Sequence, residues 1–423
     1  MKKLAALLLT FMVALTAAAQ TPIPATDDGL SPAERSMAQA NRMIAKGPKN
    51  FEAYNALALA LSRRARETSD VKFYAQGEEA LKKSFEVSPG NFDGERILVW
   101  LLLGKHEFAA AREEARKLSK KMPDDVMVYG FLTDANIELG DYKEAEESAQ
   151  LMLDLRPGNL PALTRAAYLR ELFGDIDGAV DLMNMALQST PPNQVEDEAW
   201  IVTQIAHLDL AVGKTAEAEK QLEHALVLFP GYHYALGNLA KVRIQQKRCD
   251  EAIQLLEQRY QSAPHAENLY DLAEALQLGG RSNEAKKAFA EFEQKSLLET
   301  NRADNSNREL IFYYADYAHE PGQALEVAKR ELARRHDAYT LDAYAWALYM
   351  NGRYPEAREQ IEKALAVGLR DARVMRHAGE IALKVGDPAS AERYLRQAAE
   401  LNTTESEPAR VVLAHLSSRP AQR

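Results

Sequence analysis

Residues 351–365 read NGRYPEAREQIEKAL, and a near-copy, LGDYKEAEESAQLML, stands at 139–153. Each has glycine second (Gly352, Gly140) and tyrosine fourth (Tyr354, Tyr142), and each places an alanine five residues after the glycine (Ala357, Ala145). Beyond the alanine, apolar residues return at helical spacing among charges, the pattern of a helix with one buried face. The glycine marks where a preceding helix stops and the chain turns.

Working outward, the alanine recurs at 145, 179, 218, 252, 285, 324, 357 and 391, at intervals of 34, 39, 34, 33, 39, 33 and 34. The two longer intervals read as one period plus a short loop insertion, at 194–198 and near 300–304. Glycines 140, 174, 213, 280, 352 and 386 each precede their alanine by five, and prolines 157, 191, 230 and 264 follow by twelve, closing the second helix. The alanine itself is where two helices cross too closely for a larger side chain.

A helix-turn-helix unit of this period resembles the tetratricopeptide repeat. The resemblance covers nearly all of residues 51–405, as ten units starting near 51, 90, 126, 160, 199, 233, 266, 305, 338 and 372, and units 126–159 and 160–193 match best. It implies an all-α fold: antiparallel helix pairs stacked into a right-handed superhelical solenoid with a concave face. Lys247 and His319 replace the turn glycine, Glu331 stands where a small residue is usual, and RRARETSDVKF lengthens the connection inside the first unit. Looser packing is expected there. Stretches such as ARETSDVKFY and HDAYTLDAYAWALYMNGRY are also similar to exported bacterial repeat proteins.

An open-ended array needs caps. SPAE at 31–34 reads as a capping box with proline at the first helical position, opening a capping helix within 31–50. Residues 406–423 read as a C-terminal capping helix and tail. Ahead of the array, Lys2 and Lys3, an apolar run at 4–16 and Ala17-Ala18-Ala19 have the layout of a secretion signal cleaved before Gln20. The run is short for a membrane span, which takes about 20 residues. A flexible lead at 20–30 follows, and the mature protein is expected in the periplasm or secreted, with no membrane span.

The 423 residues carry a formal net charge of −10 and a single cysteine, Cys249. No basic block is present to bind nucleic acid, and no intramolecular disulfide or cysteine-based zinc cluster can form. P-loop, GxGxxG, GxSxG and HExxH patterns are missing, and the nine histidines fall at unrelated repeat positions. DNSN at 304–307 lacks the rest of a calcium loop and reads instead as part of a cap, with Ser306 and Glu309 as a capping box. No catalytic residue, metal site or cofactor is expected.

The concave face remains. Positions 2, 5, 9 and 12 of each first helix form one stripe at 3.6 residues per turn. Read from the fifth unit onward, it holds Trp200 and His207, Tyr234 and Lys241, Tyr270 and Glu274, then Glu309, Tyr313 and Asp316, then Tyr339, Asp342, Trp346 and Tyr349, and finally Arg373, Arg376 and Glu380. Tyr270, Tyr313, Tyr339, Asp342, Trp346 and Tyr349 are the expected binding surface, suited to an extended peptide or helix with apolar and basic residues. The alternative is carbohydrate, since aromatic rows also stack on sugar rings. Family members that grip a C-terminal carboxylate use lysine, asparagine and arginine in the groove. Tyr270/Glu274, Glu309/Tyr313 and Asp342/Trp346 stand there instead.

Overall fold

The computed structural model describes residues 29–417 apart from 69, 192–193, 301, 303–304 and 402, so the expected signal at 1–19 and most of the expected lead lie outside the described residues. Among the described residues there are helices and no strands. Ten helix pairs follow the predicted phase. The first five are Phe51–Thr68 with Lys72–Val87, Phe92–Gly104 with Phe108–Lys121, Val126–Glu138 with Tyr142–Leu155, Leu160–Leu172 with Ile176–Ser189, and Val195–Ala211 with Thr215–Leu228. Units six to eight are His233–Gln245 with Cys249–Ser262, Ala266–Leu278 with Ser282–Glu299, and Asn307–Phe312 with Pro321–Leu332. The last two are Ala338–Met350 with Tyr354–Leu365 and Ala372–Lys384 with Pro388–Glu400.

Each second helix packs on its own first helix and on the next, so the pairs stack in order. All eight signature alanines are fully buried at these crossings. Ala179→Leu is therefore expected to cost roughly 1–3 kcal/mol by overpacking. The same change at exposed Glu146 should stay within about 0.5 kcal/mol. Thermal melts of the two variants compare them directly.

The turns of units two to seven, nine and ten close in one way. After Val126–Glu138 the Gly140 N–H donates to the Ile137 carbonyl (3.0 Å) and the Asp141 N–H to the Asn136 carbonyl (2.8 Å). This satisfies carbonyls that a helix end leaves open. The turn at Lys247 makes the same pair of bonds, from the Lys247 N–H to the Ile244 carbonyl and from the Arg248 N–H to the Arg243 carbonyl. Lys247 and His319 adopt the positive φ of the glycines they replace (59° and 57°), as does His106 in the second unit. The second and sixth units keep the turn despite the side chain, while after His319 the closing bond runs one residue further back, from the Glu320 N–H to the Tyr314 carbonyl (2.8 Å).

Three local expectations are corrected. The segment 194–198 is not a loop: it extends the fifth unit's first helix, which starts at Val195. The second long interval is taken up partly by an 18-residue helix reaching Glu299. Ser306 does not form a capping box with Glu309: its hydroxyl pairs with Ser296 Oγ (2.9 Å), and Asn305 Oδ1 accepts the Asn307 N–H (2.8 Å). At the N-terminus the capping box is present, with Glu34 N–H on Ser31 Oγ (3.2 Å) and Ser31 N–H on Glu34 Oε2 (2.8 Å). The C-terminal cap is the helix Ser406–Ser417, tied to the last unit by the Arg373–Glu405 ion pair (2.9 Å).

The sequence did not disclose a seam between units far apart in the chain. Arg66, near the end of the lengthened first helix, pairs with Glu196 (3.2 Å), and its carbonyl lies 3.0 Å from His233 Nε2. The Arg335 guanidinium lies over Phe108 (5.4 Å to the ring centroid) and pairs with Glu138. The His336 N–H donates to the Glu138 carbonyl (3.1 Å), and the Ala338 N–H to Tyr142 Oη (2.8 Å). Next along, Gly174 faces Gly368 so closely that a Cβ on Gly174 would stand 2.5 Å from the Gly368 carbonyl oxygen. Units one to four thus meet units five to ten end to end. The solenoid winds back on itself as two stacked turns.

Candidate functional site: the cavity of the first turn

The first turn encloses a cavity of about 810 Å³, lined chiefly by the first helices of units one to five. Its apolar wall includes Leu59, Trp100, Phe131, Met127, Tyr168 and Trp200. Volume and lining are those of a ligand pocket with a few placed polar groups. Trp100 is fixed by its indole N–H, which donates to Ser62 Oγ (2.5 Å).

Four arginines and four acids share the wall: Arg63, Arg66, Arg96 and Arg165 with Asp134, Glu171, Glu196 and Asp197. Most are paired. Arg165 bridges Asp134 (2.5 Å) and the Gly130 and Pro161 carbonyls (both 3.1 Å). Arg96 reaches Asp125 (2.7 Å) and Asp93 (3.0 Å), and Glu171 meets His207 Nε2 (2.9 Å). Arg66 lies over Trp100 at 5.9 Å from the ring centroid, which joins the charged and aromatic parts of the site.

The expected binding surface in the later units is placed differently. Tyr270, Asp342 and Trp346 are 3%, 2% and 4% exposed, and Tyr313, Tyr339 and Tyr349 are half-buried. Trp346 stacks on His377 (4.0 Å between centroids) and Tyr349 (4.7 Å), and its N–H donates to Asp316 Oδ1 (2.8 Å). Tyr270 sits among Phe289 and Phe292 and donates to Glu274 (2.9 Å), which also accepts from Tyr317 (3.0 Å). Enclosure pushes the Glu274 carboxyl up to about 7. The large rings of the second turn fill its interior, so Tyr270, Asp342 and Trp346 are core residues and offer no open surface. A π-helical turn at Tyr313–Tyr317, with the Ala318 N–H on the Tyr313 carbonyl (2.9 Å), packs three tyrosines into that interior. Glu331, expected to loosen its unit, is buried and accepts from Asn307 Nδ2 (2.9 Å).

The stripe rule itself holds in the fourth unit. Counted from 160, positions 2, 5, 9 and 12 are Pro161, Thr164, Tyr168 and Glu171, and all four line the cavity. Trp200, named by the same rule, lines it too. Arg63, Arg66 and Trp100 were missed because the stripe was read only from the fifth unit onward. Arg63 and Arg66 also lie beyond position 12, on the lengthened end of the first helix, and Trp100 falls between the counted positions of the second unit.

His233 closes one end of the seam and has a measurable signature. It is buried and neutral, its Nε2–H donating to the Arg66 carbonyl, and burial lowers its pKa to about 4. In the unfolded chain it titrates near its ordinary value of about 6.5. The unfolded state therefore binds the extra proton between those values, and this contribution to stability, present above pH 6.5, is lost as pH falls toward 4. Linkage puts the loss between pH 7 and pH 5 at roughly 2 kcal/mol. His233→Gln, which cannot titrate, is expected to show a correspondingly smaller drop in melting temperature over that interval.

This repeat grammar, with helix pairs crossing on small residues, defines a tetratricopeptide-repeat solenoid. Family profiles described as tetratricopeptide repeat match residues 98–159, 209–267 and 343–406. A tetratricopeptide repeat-containing protein of Methanocaldococcus jannaschii is 29% identical over 164 residues, 37% of this chain and 28% of that protein. Among solved structures, the human IFIT1 dimer with m7Gppp-AAAA is similar over 87% of this chain and 85% of its own (TM-score 0.50, 14% identity). The APC/C hetero-tetramer Cut9–Hcn1 is similar over 90% of this chain and 59% of its own (TM-score 0.46, 14% identity). At 14% identity the likeness to IFIT1 is one of fold alone. The chain thus spans less than two thirds of the M. jannaschii protein and of the Cut9–Hcn1 chain. Tetratricopeptide arrays generally act as protein-binding scaffolds rather than catalysts.

Proposed function

We propose that this chain is a non-enzymatic, protein-binding scaffold of the bacterial cell envelope that holds an extended peptide or helix in the cavity of its first turn. The cavity carries the reading: it is lined by stacked first helices, apolar in its wall and polar at a few fixed points. Rigid aromatic anchors such as Trp100 and Trp200 bind with little loss of side-chain entropy. The net charge of −10 favours a protein over a nucleic acid as partner. Export rests on the signal pattern at 1–19, and among the described residues no helix is long and apolar enough to cross a membrane.

The test is site-specific photo-crosslinking in a bacterial host, followed by recovery from the envelope fraction. A benzophenone side chain introduced at Tyr168, inside the cavity, should capture a discrete polypeptide, and one at exposed Val227 should not. The recovered chain should begin at Gln20. Equal capture from both positions would refute the cavity as the binding site, and an intact Met1 would refute export by cleavage.

A further inference from the structure

Within the cavity one arginine and one guanidinium N–H stand without a partner among the described residues. Arg63 is exposed on the cavity wall and has no ion pair among the described residues, and the Nε of Arg66 is buried with no acceptor. The two lie three residues apart, on one face of the helix Phe51–Thr68. On the acidic side, Asp134 and Glu196 are paired with arginines, and Glu171 meets His207 Nε2. The remaining acid, Asp197, stands in the first turn of Val195–Ala211, where the positive end of the helix already favours a carboxylate. The cavity therefore keeps unsatisfied donors beside an apolar wall. Arg66 lies over Trp100 and pairs with Glu196, one helical turn before Trp200, so donors and rings are contiguous.

We infer that the segment held in this cavity places an apolar side chain against Trp100 and Trp200 and a carboxylate, a residue or two away, on Arg63 and the Nε of Arg66. This rests on the reading of the cavity as a peptide site and adds the chemistry of the peptide. It reverses the preference for basic residues expected from the later units. A buried guanidinium N–H without an acceptor is costly, and a carboxylate supplies the acceptor together with the opposite charge.

The probes are two fluorescein-labelled octapeptides, Gly-Ser-Glu-Phe-Leu-Asp-Ser-Gly and the same sequence with Gln and Asn for Glu and Asp, titrated by fluorescence anisotropy against the chain beginning at Gln20. The acidic peptide is expected to bind about tenfold or more tightly than the neutral one at low salt, as charge-assisted hydrogen bonds provide. Arg63→Gln should erase most of that difference, and Trp200→Ala should weaken both peptides. Arg63 is exposed, so its variant should melt like the parent. Equal binding of the two peptides, or a preference that survives Arg63→Gln, overturns the inference. So does failure of both peptides to bind; if crosslinking at Tyr168 still captures a partner, the peptide-site reading stands without it.

Discussion

Gly174→Ala should destabilise the protein by roughly 3 kcal/mol or more, whereas Gly352→Ala should cost about 1–2 kcal/mol. Both glycines end a first helix with positive φ, 80° and 72°. Any L-residue at either position meets the left-handed backbone penalty. Only Gly174 has a further obstacle, because its added Cβ would stand 2.5 Å from the Gly368 carbonyl oxygen, while nothing lies within 4 Å at Gly352. Backbone cannot rotate aside as a side chain can, so the two turns must part locally. Thermal melts of the two variants measure the difference, and amide exchange around Gly368 shows where it acts. Equal melting temperatures would mean that the turns do not touch at Gly174.

Arg335→Ala is expected to cost about 3–5 kcal/mol, the usual result of removing one partner from a buried ion pair. Arg335 is 7% exposed and is the cation for Glu138 across the seam, for Asp337 (3.1 Å) and for Glu331 (3.8 Å). Its removal leaves buried carboxylates with less compensation and uncovers Phe108. Arg335→Met, which keeps the stem but not the charge, should recover little, since the loss is electrostatic. Denaturant melts at neutral pH test both variants. Full recovery by methionine would assign the role of Arg335 to packing.

The period and the fold class were legible because each unit repeats the same local requirement. A helix crossing admits only alanine at 179 or 218, and a helix end wants glycine at 140 or 352. Such requirements are settled within one unit and its neighbour, and the sequence writes them out each time. The seam was not legible. Gly174 and Gly140 read as helix stops, and nothing in their neighbourhood marks that a backbone some 200 residues away is pressed against them. The same gap explains the site. Positions 2, 5, 9 and 12 do face inward, but whether inward means a cavity or a core depends on how tightly the coil winds. Tyr168 and Trp200 came to line an open cavity, while Tyr270 and Trp346 became packed interior. Aromatic residues were counted where they are densest, and density of large rings is what filled the second turn.

Repeat arrays are commonly treated as chains of nearest neighbours, in which unfolding can start at either end and creep inward one unit at a time. The seam changes that arithmetic. Unit three is coupled to unit nine through Glu138, Tyr142 and Ala338, and unit four to the entry of unit ten through Gly174 and Gly368. Early and late units are thus anchored at a second point, so fraying that reaches unit nine must also release contacts of units three and four. Trimming the last two units should weaken the early ones, and the melting transition should be sharper than a linear array of ten units would give. The expected cooperativity is that of a sheet rolled into a cylinder rather than that of a string.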